Sequence, residues 1–264
     1  MAFVNTYQPP ALRGRDLAPA EDFGPDPYDL NFCFPLDFSR LECARVKLVA
    51  YIPRQHARLY TDQIERHPWL QAYFPTASMH SFADCLSAQE NFVRRNPGNV
   101  LLAVIDKARF DGEHPEWGGS FAGIMGLFQT VPGKLSTEIS WVITFPAFHR
   151  TGLATLASAL LLNYCLSIPA EHGLGLRRVQ WSTNPRNAAS VALAHKLGFT
   201  MEGTLRWEGG AVEVFKAEAG HGRPNRKGDP RPDVAGRDTV LFGFCMEDWE
   251  EGGRELVRDI IKGK

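Results

Sequence analysis

The segment 136–167, STEISWVITFPAFHRTGLATLASALLLNYCLS, holds the residues best suited to chemistry. Over 136–145, Ile139, Trp141, Ile143 and Phe145 alternate with Glu138, Ser140, Val142 and Thr144, the period of two expected of a strand. A carboxylate, Glu138, therefore sits inside an interior strand. Desolvation there raises its pKa toward the range of a general base, whereas a purely structural carboxylate would bond a neighbouring strand or helix. After Pro146 the chain turns through His149, Arg150, Thr151 and Gly152 into a stretch apolar on nearly every side: Leu153, Leu156, Leu160, Leu161, Leu162 and Cys165. A helix of that composition is buried all round. Its first turn, from Gly152 through Leu153, Ala154 and Thr155, offers backbone N–H groups and the positive end of the helix dipole beside Arg150, which suits a pyrophosphate.

Other elements must position this segment. The alternation of 45–52 predicts a first strand, and Pro53 opens a helix that brings Ala57, Tyr60, Ile64 and His67 to one face. An aromatic loop with Trp69, Tyr73 and Phe74 leads to a second helix over 82–95, stopped by Asn96-Pro97-Gly98. Residues 99–107 and 120–131 read as strands, the second turned back antiparallel through Pro132-Gly133-Lys134 into the Glu138 strand. Beyond the buried helix come a strand over 176–182, a helix over 187–196, a strand over 200–207 and a last strand over 237–246. The Gly/Pro/charge-rich stretch 208–236 between the last two reads as a long mobile loop.

The segment His149-Arg150-Thr151-Gly152-Leu153-Ala154 resembles the acetyl-CoA motif Q/R-x-x-G-x-G/A of the GNAT N-acetyltransferases, with His149 at the usual Gln/Arg position. Downstream, Asn187-Ala188-Ala189-Ser190, Lys196-Leu197-Gly198-Phe199 and Glu202-Gly203-Thr204-Leu205-Arg206 are similar in order to the ribosomal-protein N-terminal acetyltransferase (RimJ/RimL-like) branch. The resemblance implies an α/β (α+β) fold in which a mixed, mostly antiparallel central sheet is flanked by helices. It implies acetyl-CoA as donor and direct acetyl transfer to a primary amine of a small molecule or a peptide N-terminus. It places Trp141, Val142 and Ile143 along the pantetheine and His149 to Thr155 at the phosphates, with Asn187 and Ser190 near the thiol. Glu138 would be the base, directly or through water. The tyrosine that commonly donates the proton is replaced by Ala194, so Ser190 is its substitute; the plainer readings are a capping Asn187 and a packing Ser190. Trp69, Tyr73 and Phe74 would border the acceptor. A catalytically silent acyl-CoA-binding module is the alternative, with His149 and Ala194 as its signs.

Composition sets the remaining bounds. The 264 residues, 44% hydrophobic, suit one large domain: an irregular arm 1–44, a catalytic domain 45–246 with the 208–236 insertion, and a C-terminal helix 247–264. A net charge of −1 gives no long-range field for nucleic acid or an anionic membrane. The five cysteines are odd in number and widely spaced, which predicts reduced thiols in the cytoplasm, and no His/Cys spacing predicts a metal. Residues 151–170 carry no charge over about the length of a membrane span, yet the strands on either side make a core helix the expected outcome. Oligomeric state is not legible.

Overall fold

The computed structural model describes residues 23–74, 78–212, 222–232 and 235–263, without the side chains of 209–212. The strands are β1 (Val46–Ala50), β2 (Val100–Asp106), β3 (Ser120–Val131), β4 (Ser136–Thr144), β5 (Arg178–Thr183), β6 (Thr200–Val212) and β7 (Ala235–Cys245). They form one sheet in the order β1-β2-β3-β4-β5-β7-β6. Every neighbouring pair is antiparallel except β4 with β5, which run parallel. The helices are α1 (Pro53–Arg66), α2 (Phe82–Ala88, continued by a wide helical turn, Gln89–Arg94), α3 (Leu153–Leu166), α4 (Ala188–Lys196) and α5 (Arg254–Lys262).

Each face of the sheet is covered by a different set of helices. Val179 and Trp181 of β5 and Phe244 of β7 are buried on the side of α3, α4 and α5, where Phe244 meets Trp249 just ahead of α5. Tyr60 of α1 meets Phe145, and Phe74 of the 69–74 loop meets Trp141, over the opposite face. The apolar run of α3 explains its place. Leu160, Leu161 and Leu162 point in different directions around the helix, and all are buried, each worth roughly 1.5–3 kcal/mol. At 14 residues α3 is short of a membrane span, and among the described residues no helix is long and apolar enough to cross a membrane.

Three sequence expectations change. The strict alternation of β4 breaks at a bulge, where Trp141 and Val142 together oppose one residue of β3 and Trp141 takes a φ of 54°. Phe128 pairs with Glu138, and the Trp141 ring stacks on Phe128 at 5.2 Å, so Trp141 lies on the Glu138 side rather than with Ile139. The strands flanking the 208–236 stretch also run further into it, to Val212 and from Ala235. Its described middle is tied down by an Arg223–Asp238 ion pair at 2.6 Å, while residues 213–221 and 233–234 lie outside the described residues. Of the arm 1–44, residues 1–22 lie outside the described residues too; Phe23, Leu30, Phe32, Phe34, Leu36 and Phe38 pack against the core.

Candidate functional site: a parted pair of parallel strands

β4 and β5 pair through only three positions, Ser136 with Arg178, Thr137 with Val179 and Glu138 with Gln180. β4 continues to Thr144 and β5 to Thr183 without further pairing to each other, so the strands part. The bulge at Trp141 deepens the gap by bending β4. Backbone groups of residues 141–143 that face β5 have no partner in that ladder. An extended ligand could be held there in the manner of an added strand.

Glu138 sits where the strands begin to separate and is 5% exposed. Its Oε2 accepts hydrogen bonds from Gln180 Nε2 at 2.9 Å, Ser182 Oγ at 3.2 Å and Gln129 Nε2 at 3.2 Å. Gln129 reaches it from a second left-handed position in β3, φ 51°. Burial pushes the carboxyl above the ordinary glutamate value, hydrogen bonds from Gln180 and Ser182 pull it back, and the charge of Glu208 pushes it up again. Glu138 is thus bonded to its neighbours and tuned upward.

At the far end of β4, Gly152 caps α3 with a φ of 80° and no side chain to satisfy the first N–H groups. The Leu153 N–H reaches Thr151 Oγ1 only at 3.4 Å. A Cβ on Gly152 would meet nothing within 4 Å, so a bulky anion can approach. Arg45 donates to the Thr151 carbonyl at 2.8 Å and fixes the turn. Arg150 is exposed in a left-handed conformation, and exposed His149 bonds the Thr144 carbonyl at 2.8 Å through Nε2. Ala154 and Thr155 are half-buried on the first turn above buried Leu153. These residues fit a pyrophosphate group.

On the other side of the gap, Asn187 caps α4 by accepting from the Ser190 N–H at 3.2 Å. The buried indole of Trp181 donates to Ser190 Oγ at 2.9 Å, which occupies one lone pair and leaves the hydroxyl proton free to donate elsewhere. Ala194 is fully buried, so a tyrosine at that place would overfill the packing.

The aromatic loop residues fall at the same gap. Trp69 meets His149 at 5.5 Å, Phe74 meets Trp141 at 5.8 Å, and the Tyr73 carbonyl accepts from Arg237 Nη2 at 3.3 Å. Sequence reasoning missed a polar set on the Glu138 face: Gln129, Gln180, Ser182, Glu208, Arg237 and Thr239. Its signal was present in RVQWST and RDTVLFGF, where polar side chains recur at every second residue of otherwise apolar strands. A separate depression of about 540 Å³, lined by residues from Asp29 to Phe38 and by Pro97, shares no residue with this chamber.

Strand order, parted parallel pair and glycine-capped helix define an acetyltransferase fold, and the chain belongs to the GNAT family. Residues 45–200 match the Acetyltransferase (GNAT) domain. The Bacillus subtilis (strain 168) protein named Probable N-acetyltransferase YjcK is 33% identical over 84 residues, which cover 32% of this chain and 44% of that protein. This chain therefore matches less than half the length of that curated relative. Among solved structures, a GCN5-related N-acetyltransferase from Brucella melitensis aligns with a TM-score of 0.59 at 21% identity, over 83% of this chain and 84% of that one. Mycobacterium smegmatis RimJ, in complex with CoA-disulfide, aligns with a TM-score of 0.56 at 19% identity, over 83% and 89%. At such identities the structural likeness speaks for the fold.

Proposed function

We propose that the chain is an acetyl-CoA-dependent N-acetyltransferase acting on a primary amine, and that it lies in the RimJ/RimL-like branch. The observation that carries this reading is the parting of β4 from β5 directly after a buried, upward-tuned Glu138. Bound acetyl-CoA supplies an activated acetyl thioester. Residues 141–143 would hold the pantetheine arm, His149 to Thr155 the phosphates, and Asn187 with Ser190 the thiol end. Glu138 takes the proton from the incoming ammonium, directly or through water, and so frees the lone pair that forms the new N–C bond. As the N–C bond forms the C–S bond breaks, and the Ser190 hydroxyl, oriented by Trp181, would relay the second nitrogen proton to the departing sulfur, which leaves as the free thiol of CoA. The N-x-x-S order and the alanine at 194 support the branch assignment.

We assign transfer to residues 45–246, with 247–264 as a helical appendix. The five cysteines are all free, which supports a reducing compartment, and burial pushes the Cys85 and Cys165 thiols up, away from the thiolate that a covalent acyl-enzyme would need, which supports direct transfer. Calorimetric titration with acetyl-CoA and with CoA, using Gly152→Glu as control, tests the reading. Binding lost in the variant, followed by thiol release with amines that Glu138→Gln abolishes, is the expected result. Binding without turnover on any amine would instead favour a silent module, and no binding would overturn both.

A further inference from the structure

Resting on that acetyltransferase reading, we propose that the acceptor carries a carboxylate beside its reacting amine, and that Arg237 is the residue that receives it. Arg237 is 6% exposed and stands on the Glu138 face, two residues before Thr239 on the strand that pairs with β5. One Nη donates to Thr239 Oγ1, the other to the Tyr73 carbonyl, and the buried Nε has no partner among the described residues. Guanidinium has five N–H donors, so the described residues use only part of the set.

The counter-charge is equally incomplete. Glu208 Oε2 stands 3.8 Å from Arg237 Nη1, beyond hydrogen-bond reach, and already accepts from the Thr239 hydroxyl at 2.7 Å. Burial pushes the Arg237 guanidinium below its usual value, with Glu208 and then Glu138 pulling it back; it stays charged at neutral pH. A buried cation with open donors and a distant, half-exposed counter-ion is costly in the free protein. An incoming carboxylate removes that cost because its two oxygens match the guanidinium fork.

The same geometry selects the substrate class. Glu138 is bonded to Gln180 and Ser182 of β5, and Arg237 stands on the strand paired with β5, so the two charges share one face of the sheet. An amine at Glu138 with a carboxylate at Arg237 is the charge pattern of an amino acid. A diamine would set its second cation against Arg237 and be rejected. The Arg237 contact to Tyr73, in the aromatic loop, would also link carboxylate capture to the loop that borders the acceptor.

The test is a matched series measured by thiol release: L-amino acids, the corresponding amino-acid amides, and plain amines with spermidine among them. The wild type should favour free carboxylates over their amides by at least tenfold in kcat/KM. Arg237→Gln should flatten that preference, mainly through KM, and Arg237→Lys should restore part of it. Equal or greater use of amides or spermidine by the wild type would overturn the proposal, as would a parallel loss for all acceptors in Arg237→Gln. If that variant fails to fold, the wild-type comparison decides alone. Where nothing turns over, ligand-observed NMR with CoA present compares the same pairs, and equal or absent binding overturns it. Acetyl-CoA titration separates the two failures: its absence removes the acetyltransferase reading, whereas binding with indifferent acceptor use removes only the carboxylate.

Discussion

Glu138 receives three hydrogen bonds yet sits in surroundings that oppose its charge, and this conflict has consequences of opposite sign for stability and for rate. Because its folded pKa is raised, the folded state holds that proton more tightly than the unfolded chain. Its contribution to stability is full below the unfolded value and is lost as pH rises through the raised folded value. Catalysis needs the deprotonated form, so kcat/KM should climb with pH through that same raised value. Glu138→Gln should lower kcat by about 10²–10⁴-fold while melting no earlier than wild type at pH 8 in thermal scans; early melting would mark the carboxylate as structural. Ser190→Ala should cost about 10²-fold in kcat and far less in acetyl-CoA affinity. Trp181→Phe, which removes only the indole N–H from Ser190, should cost less, and stopped-assay kinetics on both variants check the order.

At the scale of elements, two glycines do different work around the gap. A Cβ on Gly123 in β3 would overlap the Ile143 carbonyl oxygen of β4, at a φ of 155°. Gly123→Ala should therefore break the β3–β4 pairing beside the bulge and destabilise by about 3 kcal/mol or more, measured by urea titration. Gly152 also has positive φ, but open space surrounds it. Gly152→Ala should cost only the left-handed strain, about 1–2 kcal/mol, and leave a folded protein, whereas Gly152→Glu should add a repelling charge at the phosphate turn. Comparing CoA affinity in the two variants separates backbone geometry from electrostatics.

For the whole molecule, ligand and fold should be linked, because the proposed donor site uses β4, β5, α3 and α4 together. Acetyl-CoA at about 100 times its Kd should stabilise by about 2.7 kcal/mol, which for a chain of this size raises Tm by about 5–10 °C. Scanning calorimetry checks the shift, and Gly152→Glu should abolish it. A Tm indifferent to saturating acetyl-CoA would remove the binding site from the fold.

What the chain dictated locally was legible in its letters. The alternation around Glu138, the all-round apolar α3, the glycine before it and the Asn187 cap are short-range patterns, and periodicity with end-group chemistry reads them directly. The bulge that turns Trp141 onto the Glu138 face was not legible, because a one-residue register shift depends on β3, not on β4 alone. Nor was the chamber of Gln129, Gln180, Ser182, Glu208, Thr239 and Arg237, drawn from four strands up to about a hundred residues apart. Sequence determined which groups existed and the helix or strand that carried each. Only tertiary structure decided which faced one another, because strand order, register and the length of the β4–β5 pairing are set by packing across the whole sheet.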